Sequence, residues 1–183
     1  MTERIVEKFK KNSALITGER IYLKIMREEN ATADYSGWLN DSAVNKYLET
    51  KSATVQGLKN YITEKLADDN CLFFGIFMKA DNRHIGNLKL EPIDWRKKSA
   101  VFGILIGDKS YWGKGLATEA TKLIVNFAFN KLNLVTLELG AIADNLAALR
   151  VYEKIGFKVD EIIKGQIDYN GRPFDQIIMT IKK

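Results

Sequence analysis

Apolar positions along the 183-residue chain switch between two periods, and each switch marks an element. The N-terminal stretch sets Ile5, Val6 and Phe9 on one helical face, which reads as a short helix or an ordered tail. Residues 20–26, RIYLKIM, alternate with period two and form the first predicted strand. Helical spacing returns between 30 and 69, where Thr54 stands as an N-cap ahead of a stripe of Val55, Leu58, Ile62 and Leu66. Three strand-like runs follow, CLFFGIFMK, HIGNLKLEPID and KSAVFGILIG, separated by DNR and WRKK turns. Beyond them the pattern predicts a helix over 115–131, a strand over 134–143, a helix over 146–155 and a strand from Phe157. Asn170-Gly171 between alternating runs signals a hairpin, with RPFDQIIMTIKK as the last strand. A meander followed by β-α-β units predicts an α/β (α+β) fold, a mixed sheet with helices on its faces. No repeat, low-complexity tract or Pro/Gly/Ser linker divides it.

Composition narrows the chemistry. The chain is 46% hydrophobic and 28% charged with 2 Pro, which is globular rather than disordered. It holds one Cys, Cys71, and one His, His84, so an intramolecular disulfide and a Cys/His zinc site are excluded and no metal is expected. Whatever it does is done largely without imidazole or thiol. The net charge of +5 suits an anionic ligand, but basic clusters such as Arg96, Lys97 and Lys98 are short and read as solvated surface, not a nucleic-acid arm. No apolar run approaches the roughly 20 residues of a membrane helix, and the N-terminus lacks a signal core. The expectation is a cytoplasmic protein that binds neither nucleic acid nor membrane.

The densest chemical signal is GILIGDKSYWGKGLATEATKLIVNFAFNKL. A strand runs into a loop with Gly113 and Gly115 two apart, and a helix opens directly after it. Such glycines let backbone N–H groups approach a phosphate at a helix N-terminus, and Lys114 adds a charge. A Walker loop is excluded, because five residues separate Gly107 from Gly113 and Gly115 follows Lys114. The dinucleotide fingerprint also fails, with Thr118 three residues after Gly115. About 30 residues on comes DNLAALRVYEKIGF, in which Asn145 caps a helix, Gly156 stops it, and Tyr152 lies near two turns from Asn145 on the same face.

Together, YWGKGLATEA and NLAALRVYEKIGF resemble the GCN5-related N-acetyltransferase (GNAT) superfamily, most of all the branch acting on ribosomal-protein N-termini, spermidine and amino sugars. The resemblance covers residues 18–183 as a single acetyltransferase domain, behind an extension at 1–17. It implies a mostly antiparallel sheet of about six to seven strands, with the fourth and fifth splayed. The family's loop carries Gln or Arg where this chain has Trp112, while Gly115 and Ala117 match. The implied cofactor is acetyl-CoA. Leu105 and Ile106 would pair with its pantetheine arm, and a backbone N–H near Leu105 would stabilise the oxyanion. Trp112, Gly113, Lys114, Gly115, Leu116, Ala117 and Thr118 would hold the pyrophosphate. Asn145 would reach the pantetheine, and Tyr152 would act as general acid toward the CoA thiolate. The general base stays unassigned among Glu91, Asp94, His84 and Glu138. Trp38 and Tyr47, in DYSGWLNDSAVNKYLE, are candidate acceptor contacts together with Glu91, although Trp38 and Tyr47 equally fit an amphipathic core. The resemblance implies acetylation of a primary amine, with a nucleotide-linked amino sugar as the leading acceptor. Protein N-termini, polyamines and a non-catalytic CoA-binding module are the alternatives. The partner is a small-molecule or peptide amine, and a homodimer is left open.

Overall fold

A computed structural model describes residues 2–11, 15–169 and 172–183. Eight strands form one sheet, β1 (Ile16–Thr17), β2 (Ile21–Ile25), β3 (Leu72–Met78), β4 (His84–Asp94), β5 (Ser99–Ile106), β6 (Thr136–Ile142), β7 (Lys158–Tyr169) and β8 (Arg172–Lys182), in the order β1-β2-β3-β4-β5-β6-β8-β7. Every neighbouring pair is antiparallel except β5 and β6. The count exceeds the expected six to seven by the two-residue β1, which is too short to show a period. Asn170-Gly171 lies outside the described residues, but β7 and β8 pair antiparallel as far as Tyr169 opposite Arg172.

Among the described residues five α-helices flank the sheet: α1 (Thr2–Lys11), α2 (Ala33–Asn40), α3 (Val55–Ala67), α4 (Leu116–Asn130) and α5 (Leu146–Ile155). Their ends follow the local chemistry. Thr54 Oγ1 accepts from Gly57 N at 3.0 Å, Asn145 Oδ1 accepts from Ala148 N at 3.3 Å, and Gly156 closes α5 at φ 110°. One face of the sheet presents Phe74, Leu88, Phe102 and Ile104 to α4, and α1 joins this layer through Val6 and the Phe9–Phe127 ring pair. The opposite face presents Phe73 and Leu105 to α2 and α3, whose Tyr35, Leu39, Leu58 and Ile62 form a second cluster. Residues of β3 are buried on both faces, which is why its run is continuously apolar. Among the described residues no helix is long and apolar enough to cross a membrane, and no His/Cys/Asp/Glu group could hold a metal.

Candidate active site

The site begins as a break in the sheet. β5 and β6 pair over only three positions, Ser99 with Thr136, Ala100 with Leu137 and Val101 with Glu138. Beyond Val101, β5 stays on β4 and β6 stays on β8, so two strand edges face each other across a gap. An unpaired edge offers rows of N–H and C=O groups to an extended ligand. The gap opens into a cleft of about 2030 Å³ that also reaches α2, α3 and the α4 and α5 N-termini. That exceeds the roughly 300–1,000 Å³ of a pocket for one drug-sized ligand. There is room for a long cofactor and an acceptor together.

Register decides which backbone groups of β5 face the gap. Gly107 N donates to Ile85 O at 2.9 Å, while Asn87 lies opposite Leu105 and Lys89 opposite Gly103. Antiparallel alternation therefore turns the N–H groups of Gly103, Leu105 and Gly107 toward β4, and those of Ile104 and Ile106 toward the gap. Ile106 O agrees, because it points away from β4 and accepts from Trp112 Nε1 at 2.8 Å. The Leu105 N–H thus turns toward β4, and the N–H groups facing the gap near it are those of Ile104 and Ile106. The Leu105 side chain still lines the cleft, from the α2–α3 face.

The glycine loop is shaped for an anion. Gly113 and Gly115 sit at φ 71° and 76°, a left-handed conformation that a side chain would strain, and a Cβ on Gly113 would project into open space. Both line the cleft with Leu116, Ala117 and Thr118, although the Leu116 side chain itself is buried in the core. Arg20 reaches across from the start of β2, donating NH1 to Lys114 O at 2.9 Å and Nε to Glu119 Oε2 at 2.9 Å. Burial works to raise the Glu119 pKa, but hydrogen bonds from Arg20 and Ile21 and the Arg20 charge outweigh it, so the carboxylate is held ionised. The Lys114 ammonium lies 5.3 Å from the Tyr111 ring centre and is not part of the cleft lining. Trp112 lines the cleft at 44% exposure with its indole N–H committed to Ile106, so it fixes the loop rather than replacing a charged side chain.

Tyr152 lines the same cleft from α5, with its ring packed against Phe102 and Phe157 at 6.2 and 5.8 Å between centres. Burial pushes its phenol up to about 12, so the hydroxyl keeps its proton at neutral pH. Asn145 lines the cleft while capping α5. Tyr47 lines it too, and its hydroxyl donates to Asp144 O at 3.2 Å.

Two other sequence candidates lie elsewhere. Trp38 packs 5.0 Å from the His84 ring, and its indole covers Gly107, where a Cβ would come within 2.2 Å of it. It lines a small neighbouring surface pocket instead of the main cleft. Glu91 is absent from the cleft lining because it is held between Lys65 Nζ at 2.6 Å and Lys89 Nζ at 2.7 Å. Of the candidate bases, His84 stacks on Phe77 and its Nε2 contacts Gly86 O and Asn87 Oδ1, both at 2.9 Å. Burial lowers its pKa, outweighing those contacts. Asp94 caps the turn at Arg96 and Lys97, and Glu138 is exposed outside the cleft. Cys71 is buried, and desolvation raises its thiol to about 12, which leaves it inert. Among the described residues the one carboxylate lining the cleft is Glu49, with Lys46, Lys51 and Lys89 as the cations. The sequence reading missed Glu49, Tyr61 and Lys89. For Lys89 a signal existed: a lysine between Leu88 and Leu90 in a predicted strand whose neighbours are apolar.

The acetyltransferase (GNAT) domain model matches residues 20–158. A probable N-acetyltransferase of Bacillus subtilis, YjcK, is 37% identical over 132 residues, covering 70% of this chain and 72% of its own. The spermidine N(1)-acetyltransferase of Escherichia coli is 35% identical over 104 residues, 57% of this chain and 55% of its own. Among solved structures, the spermidine N-acetyltransferase of Vibrio cholerae in complex with CoA and spermine superposes with a TM-score of 0.82 at 22% identity, over 89% of this chain and 95% of its own. With the family pattern running from β2 into β7 across the splayed strands and the glycine loop, the chain belongs to the GNAT acetyltransferases and is an acetyl-CoA-dependent N-acetyltransferase.

Proposed function

We propose that the acceptor is a primary amine carrying an anionic group, with a nucleotide-linked amino sugar as the leading case. The observation behind this reading is the lining of the cleft, where among the described residues Lys46, Lys51 and Lys89 stand with one carboxylate, Glu49, while Glu91 pairs with Lys89 from behind. A polycation entering that wall meets like charge, whereas an amine bearing phosphates meets attraction. The likeness to a spermidine acetyltransferase favours a polyamine as the second reading. Tyr47 and Tyr61 give the cleft aromatic faces for a sugar or base.

Acetyl-CoA supplies the acetyl group as a thioester. The positive-φ glycines and the α4 N-terminus fit its pyrophosphate, and the open edges of β5 and β6 fit its pantetheine arm. In this reading the N–H groups of Ile104 and Ile106 donate to the arm and to the carbonyl oxygen on which negative charge develops. Tyr152 holds a proton at its hydroxyl for the departing thiolate. Its raised pKa makes it a weak acid, and the dry gap that raises it disfavours a bare thiolate in the same way. Glu49 takes one proton of the acceptor ammonium, directly or through water, and the second, released from nitrogen as the amide forms, replaces the one Tyr152 gives to the thiolate. The test is CoA release measured across an amine panel of amino-sugar nucleotides, peptides and polyamines. Turnover of an amino-sugar nucleotide with the highest kcat/KM supports the reading, and preference for spermidine overturns it.

A further inference from the structure

The floor of the cleft under α3 carries hydrogen-bond donors whose chemistry the acetyl transfer itself does not use. Lys89 and Asn87 sit two residues apart on β4, on the face that α2 and α3 cover, and both line the cleft with Tyr61. Lys89 Nζ donates to Tyr61 Oη at 3.0 Å and to Glu91 Oε2 at 2.7 Å. An ammonium has three protons, so one is left over. The Tyr61 oxygen accepts from Lys89, which leaves its own O–H to donate, and no acceptor for it occurs among the described residues. Asn87 is 5% exposed, its Oδ1 is taken by His84 Nε2, and its Nδ2 has no partner among the described residues.

Behind this face, Lys65 lies 2.6 Å from Glu91 on the far side from Lys89, with Glu64 at 3.3 Å. Neither Glu64, Lys65 nor Glu91 lines the cleft. The carboxylates therefore anchor the network from behind, and its cleft-facing end presents a cation and a phenol O–H 3.0 Å apart. Opposite Lys89 on β5 is Gly103, and a Cβ there would meet nothing within 4 Å. Donors converge beside empty space, and Glu91, which pairs with Lys89 at 2.7 Å, does not line it.

We infer that Lys89 and Tyr61, with Asn87 beside them and Gly103 providing the room, form a subsite for an anionic oxygen group, phosphate or carboxylate, borne by the acceptor. This rests on the acceptor reading above and sharpens it: specificity comes from a fixed cation in the β4–β5 floor. Two donors 3.0 Å apart match two oxygens of one such group, as charge-assisted pairs do.

The test is calorimetric binding to the CoA-loaded full-length protein with matched pairs: glucosamine 1-phosphate against glucosamine, and glycyl-alanine against its C-terminal amide. The phosphate and carboxylate arms separate the two sources. In one pair or both, the anionic member binds about tenfold tighter, as a partly desolvated charge-assisted contact predicts. Lys89→Met reduces that gap to about twofold or less without changing CoA affinity, and Tyr61→Phe reduces it by about threefold. Lys89→Met still leaves Glu91 paired with Lys65, so the fold is retained. Gly103→Val, placed in open space, weakens both members of the pair. Equal affinity within both pairs, a gap that survives Lys89→Met, or no binding of any member overturns the subsite. Turnover of uncharged amines without an anion preference refutes the subsite and spares the enzyme. An anion preference that Lys89→Met leaves intact refutes the subsite and spares the anionic-acceptor reading, and a Lys89-dependent preference confined to glycyl-alanine refutes the amino-sugar case and spares the subsite.

Discussion

Tyr152→Phe separates chemistry from packing more cleanly than any other change in this cleft. The ring is 7% exposed and is held by Phe102 and Phe157 at 6.2 and 5.8 Å, contacts that phenylalanine reproduces. No hydrogen bond to the hydroxyl occurs among the described residues, so its loss costs less than about 0.5 kcal/mol of stability near neutral pH. Removal of a general acid is worth about 10²–10⁴-fold in rate, or about 3–5.5 kcal/mol of barrier. Expected is a kcat loss in that range, a CoA dissociation constant unchanged by calorimetry, and a melting temperature within a degree or two. Alkaline stability gives an independent check. The folded phenol has its pKa raised from 10.0 to about 12, so the unfolded chain loses this proton first as pH rises. Wild-type stability therefore falls between about pH 10 and 12 by roughly 2–3 kcal/mol, a fall that Tyr152→Phe lacks. The difference in urea midpoint between wild type and Tyr152→Phe should change over that window. A kcat close to wild type, or equal losses of turnover and CoA affinity, would refute the acid role.

Arg20→Met leaves Glu119 without its countercharge at the phosphate-facing end of α4, with only backbone donors to it, and releases Lys114 O. Because Arg20 is half-exposed, about 1 kcal/mol is expected, read as roughly fivefold weaker CoA binding at low salt and less at high salt. Glu91 has a pKa lowered in the fold, because the hydrogen bonds and charges of Lys65 and Lys89 outweigh its burial. Its stabilisation is therefore present above about pH 4.5 and is lost as pH falls through the folded value. Urea midpoints of Glu91→Gln should lie below wild type at neutral pH, with the two curves converging in acid. Gly107→Ala drives a methyl into the Trp38 ring, so a loss of about 1–3 kcal/mol is expected. Trp38→Ala in the same chain should restore part of it, and a strictly additive double mutant would contradict the contact.

Much of this molecule is local, and what is local was legible. Thr54, Asn145 and Gly156 mark helix ends because capping needs only a side chain and a few neighbouring residues. Gly113 and Gly115 announce a left-handed loop before α4 for the same reason. Apolar period located every strand except β1, where two residues carry no period at all.

By itself, then, the sequence determined the order of elements, the glycine loop and Tyr152 two turns from Asn145, since each depends on residues near one another in the chain. Only the tertiary structure decided that β5 parts from β6 after Val101, and that Ile104 and Ile106, not Leu105, turn their N–H groups to the gap. Backbone direction depends on the partner strand's register, and nothing within β5 encodes it. The same long-range registry sent Trp38 onto Gly107 and away from the cleft, and set Lys89 beside Tyr61, 28 positions apart in the chain. Pairings of that kind are chosen by packing across the whole sheet, so they appear only when the chain is folded.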